Sequence, residues 1–255
     1  MMTSGEAMTT RWFPSALKTA EAPPGMRIYA IGDIHGRADL LHVLAEAMVE
    51  DLRARPCGQA VTVFIGDYID RGLGSNGVLK RLSTGDFPTP IVALRGNHEE
   101  ALLRFLNDAA ALDDWVENGA LTTLHSYGVD AGEEVAQGGA SQVRVKFLSH
   151  FPQEHRRFIE ETRLWAEYGG YFFCHAGVRR SAPLHLQAPH DLMNIREGFL
   201  DCGESFGKVI VHGHTPHNDV EDLPNRINLD TRAFKTGVLT AVALDGAERR
   251  FIQTA

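Results

Sequence analysis

Five short segments of the chain follow an apolar run and then present polar side chains able to bind metal. They are Gly32-Asp33-Ile34-His35-Gly36, Gly66-Asp67-Tyr68-Ile69-Asp70-Arg71-Gly72, Gly96-Asn97-His98-Glu99, His175-Ala176-Gly177 and Gly213-His214-Thr215. Asp33 and His35 stand two apart, so on an extended backbone their side chains share a face. Asp33, His35, Asp67, Asn97, His175 and His214 are all oxygen or nitrogen donors. Such a set needs no thiolate and suits Mn2+, Fe or Zn2+. Six protein ligands exceed the three or four typical of one catalytic zinc. Two ions about 3.5–4 Å apart, bridged by a carboxylate, would use them all. Paired ions polarise phosphoryl oxygens and bring a bridging water near ionisation at neutral pH, which suits phosphate-ester hydrolysis.

In this order the motifs resemble the metallophosphoesterase superfamily. Gly66–Gly72 and Arg95–Glu99 resemble specifically its phosphoprotein phosphatase family, which comprises the serine/threonine phosphatases and related bacterial and phage enzymes. The resemblance spans about residues 26–252, with 105–165 excepted. It implies that Asp33, His35 and Asp67 hold one divalent ion, and that Asp67, Asn97, His175 and His214 hold a second, Asp67 bridging. Mn2+ is the first expectation for both, with Fe or Zn2+ as alternatives. The resemblance also implies in-line attack by metal-bound hydroxide, with His98 as the general acid and Asp70 orienting it. The physics agrees, because a seryl alkoxide leaves poorly and a placed proton donor gains roughly 10²–10⁴-fold. A carboxylate partner keeps that imidazole cationic. Arg71 and Arg95 are expected to grip the phosphoryl oxygens. Arg196 is expected as a third contact; its segment Asp191–Arg196 is similar to a later family motif that usually carries Trp where this chain has Asn194.

The function this implies is a serine/threonine-type phosphoprotein phosphatase. Alternatives are a symmetrical dinucleoside tetraphosphate hydrolase, a broad small-molecule phosphatase or phosphodiesterase, and a non-catalytic phosphoprotein-binding module. Asp-Ile-His-Gly favours the first, because the diadenosine tetraphosphate enzymes usually have Gln before the Gly and no His. Pro216 stands where many wider metallophosphoesterases carry a further His ligand, which also favours the narrower family. Arg232 stands where relatives usually have Gly; at the cleft edge it would recruit an acidic substrate or else point to solvent.

These segments need strands to position them. Arg27–Ile31, Val61–Ile65, Ile91–Leu94, Tyr171–Cys174, Val209–Val211, Ile227–Leu229 and Val238–Leu244 read as strands. Leu40, Leu41, Leu44, Met48 and Leu52 give residues 37–55 the spacing of an amphipathic helix, and 99–111 and 153–165 also read as helices. The alternation predicts an α/β fold, whose ligands gather outside the carboxyl ends of strands. The resemblance implies a four-layer α/β/β/α sandwich with two mixed sheets. Residues 1–25 are expected to be a flexible arm and 26–255 a single catalytic domain, with 105–165 a mostly helical cap insertion. Trp165 is expected in the core.

The 255 residues are 44% hydrophobic and 23% charged, which excludes a disordered or fibrous chain. No apolar run approaches the roughly 18 residues of a membrane span. Lys plus Arg (25) against Asp plus Glu (33) leaves −8, a poor balance for nucleic acid or an anionic membrane. The expected partner is therefore a phosphorylated protein or small phosphoester. Cys57, Cys174 and Cys202 are far apart and odd in number, so no disulfide framework follows, and a cytoplasmic monomer is expected.

Overall fold

The computed structural model describes residues 9–15 and 20–254. Its first part runs β1 (Thr10–Pro14), β2 (Met26–Ile31), α1 (Ala38–Ala54), β3 (Gln59–Phe64), α2 (Ser75–Ser83), β4 (Ile91–Ala93) and α3 (Asn97–Asn107). Short helices follow: α4 (Leu112–Glu117), α5 (Ala120–Ser126), α6 (Gly132–Ala136), α7 (Ala140–His150) and α8 (Gln153–Glu160). Then come β5 (Trp165–Tyr168), β6 (Tyr171–Cys174), α9 (Pro189–Asn194), β7 (Val209–His212), β8 (Glu221–Asp222), β9 (Arg226–Asn228), α10 (Ala233–Thr236), β10 (Thr240–Asp245) and β11 (Glu248–Thr254).

The strands form two mixed sheets, ordered β1-β11-β10-β2-β3-β4 and β5-β6-β7-β9-β8. β2, β3 and β4 are mutually parallel, as are β6, β7 and β9; the remaining pairings are antiparallel. Alternating side chains on β2 explain the layering. Tyr29 and Ile31 join Leu41, Leu44 and Met48 of α1, whereas Ile28 and Ala30 face Tyr171, Phe173, Val209 and Ile227 of the second sheet. Beyond that sheet, Phe172, Cys174 and Ile210 meet Leu192, Ile195 and Phe199. Both faces of the parallel strands are therefore covered, which is why they read as unbroken apolar runs.

Three differences from the sequence expectations follow from particular contacts. Thr10–Pro14, inside the expected arm, pairs with β11 in the register Trp12↔Ile252. Phe13 stacks on Phe251 at 5.4 Å, and the Arg250 guanidinium lies 5.0 Å from the Trp12 ring centre. Residues 1–8 and 16–19 of that arm lie outside the described residues. Helix α8 ends early because Arg163 is drawn to β4, with its N–H donating to Ala93 O at 2.9 Å. Trp165 is 36% exposed on edge strand β5 and stacks on Phe172, rather than entering the core. The helical stretch between α3 and β5 shares its core with α1 and α3, through Leu112, Trp115, Leu124, Tyr127, Phe147 and Ile159.

Candidate active site

The expected donors all leave the carboxyl ends of parallel strands. Asp33 and His35 follow β2, Asp67 follows β3, and Asn97 opens α3 after β4; His175 and His214 follow β6 and β7. Backbone bonds stitch the loops together. Ile34 N and His35 N both donate to Asp67 O, at 3.0 and 2.9 Å, and Gly72 N donates to His35 O at 3.1 Å. The buried Glu99 carboxylate accepts from Asp67 N and Tyr68 N at 2.8 Å each and from Gly96 N at 3.0 Å. A Cβ on Gly96 would lie 2.1 Å from Asp67 Oδ1, and one on Gly213 would lie 2.0 Å from Asp33 Oδ1. Hence those motifs need glycine. Among the described residues, the non-glycine positions with positive φ are His35, Asp67, Asp70, Arg71, His214 and Arg232. Each costs on the order of 1–3 kcal/mol, and such strain collects at functional sites.

Asp67 stands at the centre. Its Oδ2 lies 3.5 Å from His35 Nε2 and 3.6 Å from His98 Nε2, and its Oδ1 lies 3.4 Å from His175 Nε2. Asn97 Oδ1 is 3.0 Å from His175 Nε2 and 2.9 Å from His214 Nδ1. Asp33 Oδ2 accepts from His214 N at 3.1 Å. Two groups of close ligand atoms result, His35/Asp67/His98 and Asp67/His175/His214, and Asp67 belongs to both. His35 Nδ1 faces Ile69 O at 2.9 Å and His175 Nδ1 faces Ile65 O at 3.0 Å. A carbonyl only accepts, so each ring is protonated on Nδ1 and turns its Nε2 lone pair inward, the arrangement of metal-binding imidazoles.

The residues present fit two divalent cations. Asp33 Oδ1, His35 Nε2 and His214 Nε2 are buried without a hydrogen-bond partner among the described residues, each at a cost of about 1–3 kcal/mol. Burial lowers His35 to about 3, His214 to about 2, and His175 below its usual value, so all three are neutral and ready to ligate. Burial, and then the charges of Asp230 and Asp67, raise the Asp33 carboxyl. Burial also pushes Asp67 up, but the surrounding imidazoles outweigh it and hold that carboxyl low. Asp230 is buried beside Asp33; in the sequence it opens Asp-Thr-Arg-Ala after an apolar run.

His98 and Asp70 form a buried pair, with Nδ1–H donating to Oδ2 at 2.7 Å. Burial pulls the imidazole down, but the Asp67 charge and the Asp70 bond carry it up to about 9. A cavity of about 280 Å³ is lined by Asp33, His35, Asp67, Arg71, Asn97, Asn118, Asn194, Arg196 and His214. The Arg71 guanidinium is 3.3 Å from His98 Nε2 and lies over Phe234, 5.0 Å from the ring centre. Arg196 donates to His214 O at 3.3 Å.

Arg95 is a correction. It does not line the cavity; its guanidinium donates to Thr162 Oγ1 at 3.0 Å, Glu100 Oε2 at 3.3 Å and Glu160 O at 3.1 Å. The last carbonyl of α8, that of Glu160, captures it. Asn118 and Asn194 take wall positions instead. Asn194 stands where the family motif usually carries Trp, whereas nothing in the sequence marks Asn118. Arg232 is half-buried, donates to Pro216 O at 3.2 Å and is absent from the lining.

Residues 26–238 match the sequence profile described as calcineurin-like phosphoesterase. The asymmetrical bis(5'-nucleosyl)-tetraphosphatase PrpE of Anoxybacillus flavithermus is 24% identical over 238 residues, covering 83% of this chain and 88% of that protein. Two solved structures share the fold. One, described as a "putative diadenosine tetraphosphatase", has a TM-score of 0.60 at 18% identity and covers 88% of this chain and 93% of its own. A cold-active protein tyrosine phosphatase has a TM-score of 0.55 at 15% identity, with coverages of 88% and 77%. All six expected donors fall within the matched span, and the chain belongs to the calcineurin-like phosphoesterase family, the metallophosphoesterases.

Proposed function

We propose that the protein is a dinuclear phosphomonoesterase of the serine/threonine phosphatase type. The observation that carries this reading is the buried His98–Asp70 pair beside Arg71 at the cavity. A protonated imidazole matters most when the leaving group is a poorly departing alkoxide, where it gains roughly 10²–10⁴-fold. Asp33, His35 and Asp67 would hold one ion, and Asp67, Asn97, His175 and His214 the other. Mn2+ is the first candidate, and Fe or Zn2+ suits the same nitrogen and oxygen donors. Such ions supply Lewis acidity and a nucleophile at neutral pH. Arg71 and Arg196 grip the non-bridging oxygens of one phosphoryl group. His98 keeps Nδ1–H on Asp70 and offers Nε2–H to the departing oxygen. No helix among the described residues is long and apolar enough to cross a membrane. The three free cysteines support a reducing, cytoplasmic setting.

A second reading, hydrolysis of dinucleoside tetraphosphates, draws on the tetraphosphatase relative aligned over 83% of the chain. The test is a side-by-side measurement of initial rates on a phosphoserine peptide and on diadenosine tetraphosphate, with metal-stripped protein reconstituted with Mn2+. Faster turnover of the peptide is expected. Faster turnover of the dinucleotide would overturn the substrate class and leave the metal-site reading standing.

A further inference from the structure

We infer that Trp115 and Thr123, both from the helical stretch between α3 and β5, are positioning residues for the proton donor: they fix the Asp70 carboxylate, which fixes His98. This rests on the reading of His98 as general acid. Trp115 Nε1–H donates to Asp70 Oδ2 at 2.8 Å, onto the same oxygen that accepts from His98. Thr123 Oγ1–H donates to Asp70 Oδ1 at 2.6 Å. The Asp70 N–H returns a bond to Thr123 Oγ1 at 2.9 Å and approaches Ser75 Oγ at 3.1 Å. Both carboxylate oxygens and the backbone N–H of Asp70 are thus committed, and its φ of 71° is held against its strain. Asp70, Thr123, Ser75 and Trp115 are all 0% exposed. The indole is itself locked by the rings of Phe105 at 5.1 Å and Phe147 at 6.0 Å.

A buried indole N–H finds a partner as a rule. Here that partner is the anion behind the proton donor. Without the indole and hydroxyl donors, Asp70 would have freedom to rotate, and the imidazole would lose its single orientation. The core of this stretch therefore reaches into the chemistry without touching substrate.

The test uses Mn2+-reconstituted protein and two esters, a phosphoserine peptide and an aryl phosphate whose phenolate leaves with little help. For Trp115→Phe we expect about a tenfold loss of kcat on the peptide, part of the general-acid gain. The loss on the aryl ester should stay under about twofold, with KM unchanged for both. In a His98→Asn background the same substitution should cost nothing more on the peptide. Equal losses on both esters, or a further loss in that background, would overturn the positioning role. If Trp115→Phe does not fold, the near-isosteric Thr123→Val carries the same comparison. If His98→Asn itself spares the peptide rate, the acid reading fails and this inference falls with it. If His98→Asn slows the peptide and Trp115→Phe does not, only the positioning role is lost.

Discussion

Arg95 and Arg196 carry the same side chain and end in different surroundings. Arg196 faces the cavity, where its guanidinium meets His214 O. Arg95 is spent on Thr162, Glu100 and the end of α8. Removing them should therefore give different signatures. Arg196→Ala should raise KM for a phosphomonoester about tenfold or more, the loss of a charge-assisted grip. Arg95→Ala should leave KM nearly unchanged and lower unfolding stability by about 1.5–3 kcal/mol, the range for hydrogen bonds to charged groups. Steady-state kinetics and urea melts on both variants check this, and a KM rise for Arg95→Ala would return it to the phosphate site. Both arginines could be picked out as candidates from their motifs. Which one points inward depends on α8, more than 60 positions along the chain from Arg95.

At the scale of elements, one buried carboxylate clamps helix α1 to the first sheet. Asp51 of α1 receives Arg27 Nη1 from β2 at 3.0 Å, Tyr29 Oη from β2 at 2.6 Å and Arg250 Nη1 from β11 at 2.8 Å. Burial pushes the Asp51 carboxyl up, but the bonds from Arg250 and Tyr29 and the charges of Arg250 and Arg27 more than reverse it, so its value ends below the ordinary one. The stability it contributes is complete above the unfolded value near 4 and is lost as pH falls through the lower native value. Asp51→Asn should thus cost roughly 3 kcal/mol at pH 7, as for a broken buried pair. It should cost much less at a pH below the native value, where the native protein has lost the charge too. Urea unfolding at both pH values reads this directly, and an equal cost at each would show that the ionised form is not what matters. The helix itself is legible in its apolar spacing. The clamp is not, since its partners lie 22, 24 and 199 positions away.

For the molecule as a whole, the two sheets converge their strand ends on a knot of buried carboxylates and imidazoles. Asp33 Oδ1, His35 Nε2 and His214 Nε2 are left unsatisfied by the described residues. Cations that bind only the native state should therefore stabilise it. At a free concentration about a hundredfold above Kd, each ion adds about 2.7 kcal/mol, or roughly 5–10 °C in Tm for a chain of this size. Calorimetry on chelator-stripped protein with and without Mn2+ should show that rise. Asp67→Asn, which alters the one residue common to both ligand groups, should abolish most of it. An unchanged Tm in the unaltered protein would remove the cluster as an ion site. A full rise in Asp67→Asn would remove Asp67 as the bridge.

The order and type of the donors, from Asp33 to His214, were readable from the sequence, and so was the strand end that each one follows. Those are short-range properties: an apolar run, a turn and a donor lie within a few residues of one another. The glycines at 96 and 213 belong to the same local grammar, although only the fold shows that a carboxylate oxygen fills the space a Cβ would need. The tertiary structure alone decided that Thr10–Pro14 is a strand, that Arg95 turns away, that Asn118 enters the cavity, and that Trp115 and Thr123 grip Asp70. Periodicity along a chain reports which residues share a face of one element. It says nothing of which side chains from elements distant in sequence will meet, and there the competition for buried hydrogen-bond partners sets the outcome.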